Sequence, residues 1–163
     1  MRKLKWLYMA AASMLATGVV LIFTTLTPTS ADAQLVILAF DYYLNIEKAM
    51  YADINFVAIS PQYLPEFTAA DKDKISAHYK EMLGADVIWA THQDLIAQGK
   101  AEALAIPHGV LFAFTAPYTS ALYTITVDSM MYRGGLGAVG STCTFVKKDG
   151  KWVLAKHVDD WIA

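Results

Sequence analysis

Histidine is the side chain to weigh first in this sequence of 163 residues, because neutral imidazole can serve as base or ligand near neutral pH. His78, His92, His108 and His157 contain no H-x-x-x-H pair that would set two imidazoles on one helical face, and no cysteine cluster joins them. The sequence therefore predicts no metal and no cofactor. What remains is acid–base chemistry, which wants a carboxylate raised in pKa by an apolar pocket and a His or Tyr to share its proton. Asp41 lies between Phe40 and the run Tyr42, Tyr43, Leu44; Asp128 lies among Thr and Tyr on a long strand pattern; His157 stands two residues before Asp159 on one strand side. These three are the candidate catalytic residues. Each has a plainer reading, Asp41 as part of a helix's polar stripe and His157 as a solvated residue at a strand's rim.

Two other features carry less chemistry than their spelling. Gly135 to Gly140 reads G-L-G-A-V-G, the spacing of a dinucleotide fingerprint, with Asp159 and Asp160 following at about the right distance. That motif works only where a strand turns into a helix whose N-terminus meets the pyrophosphate. Here the flanks S-M-M-Y-R-G and S-T-C-T-F-V are both strand-like, so a bulged or mobile β-connection is expected. Cys143 is the single cysteine, set in an apolar, Thr-rich strand pattern, and reads as a small buried hydrophobe that cannot form an internal disulfide.

The elements that must position these residues follow from periodicity. From Leu35 to about Ala52, Asp41, Asn45 and Lys48 form a narrow polar stripe on an apolar helix. The stretch I-S-P-Q-Y-L-P-E-F-T supplies breakers around Pro61 and Pro65. A second helix starts at a Thr68 cap with Asp71 three residues on, ends at Gly84, and sets Ile75, Tyr79, Met82 and Leu83 along one face. D-V-I-W-A-T-H and G-V-L-F-A-F-T then read as buried strands, with a hairpin arm or a short helix between them. Ala121 to Arg133 alternates as a long strand, placing Tyr123, Ile125, Val127 and Met131 on one side and Thr124, Thr126, Asp128 and Tyr132 on the other. Asp149-Gly150 makes a two-residue hairpin in which Val146 opposes Val153, Thr144 opposes Ala155 and Thr142 opposes His157, leaving Phe145, Trp152 and Leu154 together on the opposite face. Helices followed by a mostly antiparallel sheet make an α+β fold.

The front of the chain speaks to its destination. Arg2, Lys3 and Lys5 precede an uncharged apolar run from Leu7 to about Leu26, and Ala31 and Ala33 stand in the small-x-small spacing of a signal-peptidase site. Residues 1–33 are expected to be a signal peptide cut before Gln34, leaving a single domain over 34–163; the alternative is an uncleaved membrane anchor, since about 20 apolar residues can span a bilayer. The product is secreted or periplasmic, or anchored and facing the periplasm. Removing the leader takes three of the 13 cations and one of the 15 acids, leaving 10 against 14 and a formal charge of −4. That balance gives no footprint for nucleic acid.

The closing T-F-V-K-K-D-G-K-W-V-L-A-K-H-V-D-D-W resembles the last hairpin of nuclear transport factor 2-like domains, the SnoaL-like group among them. The resemblance implies N-terminal helices packed on a curved, mostly antiparallel sheet that forms a cone-like apolar pocket. In the isomerases and dehydratases of that superfamily, pocket Asp, His and Tyr residues move protons, and His157 falls one residue off the usual spacing from the hairpin Trp. Three functions stay open. The favoured one is a non-catalytic exported module that binds a small hydrophobic molecule or an envelope protein, with room for a homodimer. The others are a SnoaL-like isomerase, dehydratase or cyclase using Asp41, Asp128 and His157, and a membrane-anchored structural subunit of an envelope assembly.

Overall fold

The computed structural model describes residues 33–46, 53–64, 66–121, 123–134 and 137–162. The predicted leader before Ala33, the end of the predicted first helix beyond residue 46, and Gly135 with Leu136 lie outside the described residues. Among the described residues, no helix is long and apolar enough to cross a membrane.

The elements run α1 (Ala33–Ile46), β1 (Phe56–Ile59), α2 (Ala69–Leu83), β2 (Asp86–Trp89), α3 (His92–Ala97), β3 (Gly109–Phe114), β4 (Thr119–Ala121), β5 (Thr124–Gly134), β6 (Gly137–Lys148) and β7 (Lys151–Ile162). They build an α+β fold in which helices pack on one curved, open, mostly antiparallel sheet of order β2-β1-β3-β5-β6-β7, with β4 against β5. β2 and β3 both run parallel to β1. The helices therefore do not all precede the sheet: β1 and β2 are interleaved with them, because parallel neighbours need a crossover, and α2 supplies it. The strand over F-V-A-I was missed among the breakers that follow it.

Burial explains the composition of each strand. α1 and α2 cover the inner face of the sheet, where Phe40 stacks on Phe112 at 4.7 Å between ring centroids and meets Phe114 edge-on at 5.7 Å. α3 and the segment after it cover the outer face at the β2-β1-β3 end, around Phe56, Leu95, Ile106 and Leu111. β1 and β3 are thus buried on both faces and read as unbroken apolar runs. β5 alternates instead, with Ile125, Val127, Ser129 and Met131 inward, because among the described residues no helix covers its outer face.

The punctuation of α2 is as expected. Thr68 and Asp71 form a reciprocal capping box, and Gly84 closes the helix at φ +68°. Ile75 and Tyr79 are buried, whereas Met82 is exposed. Between β2 and β3 the open choice resolves to a short helix, α3, capped by Thr91 and Asp94 in the same way.

The Asp149-Gly150 hairpin has φ +50° and +79° at its two central residues, the backbone twist that a two-residue turn requires. Lys148 opposes Lys151, Val146 opposes Val153 and Phe145 opposes Leu154. The expected register then fails. A β-bulge at Ala155 brings Lys156, not Ala155, opposite Thr144, so His157 faces Cys143 rather than Thr142. One inserted residue exchanges the faces of everything after it. His157 and Asp159 accordingly lie on the inner, helix-covered side with Cys143 and Ser141, not on the face of Val153.

Candidate functional site

Three consecutive residues of α1 point about 100° apart around the helix axis, and each meets a different element. Asp41 turns to α2, where His78 Nε2 lies 2.9 and 3.0 Å from its two carboxylate oxygens. Burial raises the Asp41 pKa above the ordinary value of 3.8, and hydrogen bonding from His78 and Tyr79 offsets that in part. Tyr42 turns to β7 and packs on His157, their ring centroids 3.6 Å apart and their planes tilted by 32°. Burial, then the nearby charge of Asp159, raises the Tyr42 phenol above its usual value.

Tyr43 turns into the sheet. Its hydroxyl donates to the Ser129 carbonyl at 2.7 Å, while the Ser129 and Ser141 hydroxyls, 2.9 and 2.7 Å away, fill its acceptor positions. A phenol has one proton and two lone pairs, so this one is saturated. Burial pushes its pKa up to about 12, which keeps it neutral. Tyr43 is a peg joining α1 to β5 and β6.

The three predicted acid–base residues do not converge. Asp41 belongs to the α1–α2 seam. His157 lies under Tyr42 on β7, its Nε2 3.1 Å from Asp159 Oδ1 but off the line of a hydrogen bond, so the two form an ion pair only when the ring is protonated. Asp128 lies between inward Val127 and Ser129, hence on the outer face, where it accepts a hydrogen bond from Thr142 Oγ1 at 2.8 Å. The sheet separates Asp128 from the other two. Among the described residues no group of three His, Cys, Asp or Glu side chains could hold a metal ion. The fingerprint-like glycines lead into β6 rather than into a helix, and a Cβ at Gly140 would collide with the Trp161 indole.

One concave surface among the described residues was not anticipated. A groove of about 360 Å³ opens at the carboxyl ends of β1 and β2, lined by Pro61, Leu64, Glu66, Phe67, Lys72 and Trp89. Phe67 and Trp89 meet at 49° with centroids 5.7 Å apart, making a wedge, and Lys72 Nζ sits 5.3 Å above the Trp89 ring. A second cavity of about 310 Å³, at the opposite end of β1, has Phe56, Lys100, Glu102 and His108 in its lining. There Lys100 lies 5.5 Å over Phe56, but that ring is buried in the outer core.

The sequence did carry a signal for the wedge. An apolar residue just before a helix cap usually packs on an apolar residue at the fourth helical position. Phe67 holds the first position, yet the fourth is Lys72. The staple has no local partner. Phe67 turns to Trp89 instead, and the Lys72 stem carries its ammonium over the same ring.

Compared with known proteins, the chain matches no family model, no curated protein and no solved structure.

Proposed function

We propose that this protein is an exported, non-catalytic binding module that holds a small, largely apolar ligand in the groove walled by Trp89 and Phe67. The observation that carries the reading is the groove itself: two aromatic rings and Leu64 and Pro61 line a concavity of ligand size, with one carboxylate and one ammonium among its walls. Its place at the carboxyl ends of parallel strands is where open sheets with crossover helices hold their ligands. Binding is favoured over turnover because the titratable groups do not assemble. Asp41 is engaged by His78, Tyr43 is saturated, and Asp128 stands on the other side of the sheet. The D-G-K-W hairpin and the helices on a curved sheet support placing the protein with nuclear transport factor 2-like domains. The cationic and apolar leader supports delivery to the periplasm or the exterior.

Titration with N-phenyl-1-naphthylamine, a neutral probe that brightens in apolar surroundings, tests the groove. One saturable site is expected, lost in Trp89→Ala and kept in Lys100→Ala, which alters only the second cavity. A folded Trp89→Ala protein that binds the probe as before would remove the groove from consideration. Sequencing the amino terminus of the exported protein tests delivery: Gln34 supports the cleaved form, and Met1 supports the anchored alternative.

A further inference from the structure

The groove already contains a cation, and it is the protein's own. Lys72 Nζ stands 5.3 Å over the Trp89 ring, inside the distance at which the negative face of an indole attracts positive charge. Phe67 presents a second ring at 49° to the first, and Glu66 adds a carboxylate to the same lining. Two angled aromatic rings, one of them already under an ammonium, and an anion in the same lining form surroundings that suit a positively charged, apolar-surfaced guest. From this geometry, and resting on the reading of the groove as a ligand site, we propose that it binds a trimethylammonium head group, with Lys72 as the resident occupant that the ligand displaces.

The displacement has a physical basis. A primary ammonium is a compact, strongly hydrated charge, and it loses that hydration on entering an apolar wedge. A trimethylammonium group spreads the same charge over methyl surface. It gains contact with both rings while giving up less water. Lys72 is exposed along its helix and has a long flexible stem, so it can swing into solvent when displaced. Glu66 then offsets the two neighbouring positive charges. The second cavity lacks this arrangement: Lys100 caps a single ring, and that ring is core.

Calorimetric titration of the protein with choline chloride, against its neutral isostere 3,3-dimethylbutan-1-ol, tests the proposal. Choline is expected to bind about three- to tenfold more tightly than the isostere, the margin a cation gains over an aromatic face. Lys72→Ala should tighten choline severalfold by removing the competitor, Glu66→Gln should weaken it, and Trp89→Ala should abolish it. Because Trp89 is also a packing residue, the exposed positions Lys72 and Glu66 keep the test decisive if Trp89→Ala fails to fold.

Equal binding of choline and the isostere would overturn the cation claim and leave the apolar groove standing. Loss of both these ligands and the naphthylamine probe would overturn the groove as well. Choline affinity unchanged or weakened in Lys72→Ala would remove Lys72 from its assigned role and sink the proposal. Flotation with phosphatidylcholine vesicles, set against phosphatidylglycerol vesicles, separates the sources of the head group. Selective co-flotation assigns it to a lipid, and choline binding without flotation assigns it to a free small molecule; both support the trimethylammonium class.

Discussion

The two ends of the sheet are built on opposite terms. At the β2-β1-β3 end the strands that carry the core are four to six residues long, parallel, and buried on both faces between α1 and α2 on one side and α3 on the other. At the β5-β6-β7 end they are 11 or 12 residues long and antiparallel, and among the described residues helices cover their inner face alone. β1 and β3 leave no side chain free to point elsewhere, and the two cavities described above form beyond the strand tips of this end. The long end has a face that no described helix covers and two irregularities in the β6–β7 ladder, which re-aim side chains such as His157 without adding an element. The difference teaches that coverage, rather than strand number, decides where a substitution is felt.

The largest expected effect is therefore at the doubly covered end. Phe112→Ala removes a fully buried ring that stacks on Phe40 and neighbours Tyr43 and Tyr79. Its loss should cost about 3 to 5 kcal/mol, the usual range for deleting a core aromatic, measured as the shift in free energy of denaturant unfolding. A cost below about 1 kcal/mol would show that this end is not the rigid one.

Tyr43→Phe comes next, at the seam between the two ends. The ring stays and only the hydroxyl goes, but Ser129 and Ser141 are buried and lose their shared partner. Unsatisfied buried polar groups should make this variant about 1 to 3 kcal/mol less stable. A double change that also replaces Ser141 with Ala should cost less than the sum of the two single changes, since one interaction would be removed twice.

How much of this contrast was legible depends on whether the signal is local. The capping box at Thr68 and Asp71, the Asp149-Gly150 turn and the alternation of β5 are each set by residues a few positions apart, and each was readable. The strand at F-V-A-I was not: four apolar residues carry no period that separates strand from helix, and the parallel pairing that makes β1 central involves Asp86 and Gly109, far along the chain. The bulge at Ala155 has no spelling of its own either. It exchanged the face of His157, and so the sequence placed His157 and Asp159 together correctly but on the wrong side of the sheet. Of the site, Asp41 and His157 were noticed for their residue types, whereas their partners, His78 and Tyr42, depend on how α1 lies across α2 and β7. The groove was hinted at only by the missing staple partner of Phe67.

Trp152 sharpens the contrast from the open end. It shares the inner face with Phe145, as the hairpin register requires, but it is only half-buried at the margin of the core, with Lys147 5.4 Å over its ring. Full burial would imply a cost like that of Phe112. Half-burial predicts about 1.5 to 2 kcal/mol for Trp152→Ala, scaled from the apolar area that the ring covers. Unfolding monitored by circular dichroism checks it, and a loss as large as that of Phe112→Ala would erase the distinction between the ends.

His157→Ala should be felt less again. On the expected outward face the ring would have cost almost nothing, but the bulge places it against Tyr42, largely covered. Losing a close aromatic contact of this kind is worth about 0.5 to 1.5 kcal/mol. His157→Phe, which keeps a ring against Tyr42, should recover most of that. Equal destabilisation by Ala and Phe would mean that the imidazole's charge and its proximity to Asp159, not the stacking, hold β7 to α1.

The smallest effect is a trend with pH at the α1–α2 seam. Burial raises the folded-state pKa of Asp41 above 3.8, so the folded protein holds that proton more tightly than the unfolded chain does. The contribution of this group is therefore fully present below the unfolded value and is lost as pH rises through the folded one, because ionising a half-buried carboxyl is harder than ionising a solvated one. Asp41→Asn keeps the shape and removes the titration. The stability of the native protein relative to this variant should fall as pH is raised from below 3.8 through the acidic range, and then level off. Denaturant unfolding of both proteins across that range reads the difference directly. A difference that instead grew with rising pH would mean that the Asp41–His78 pair outweighs the loss of hydration, and that the seam is held by charge rather than merely tolerating it.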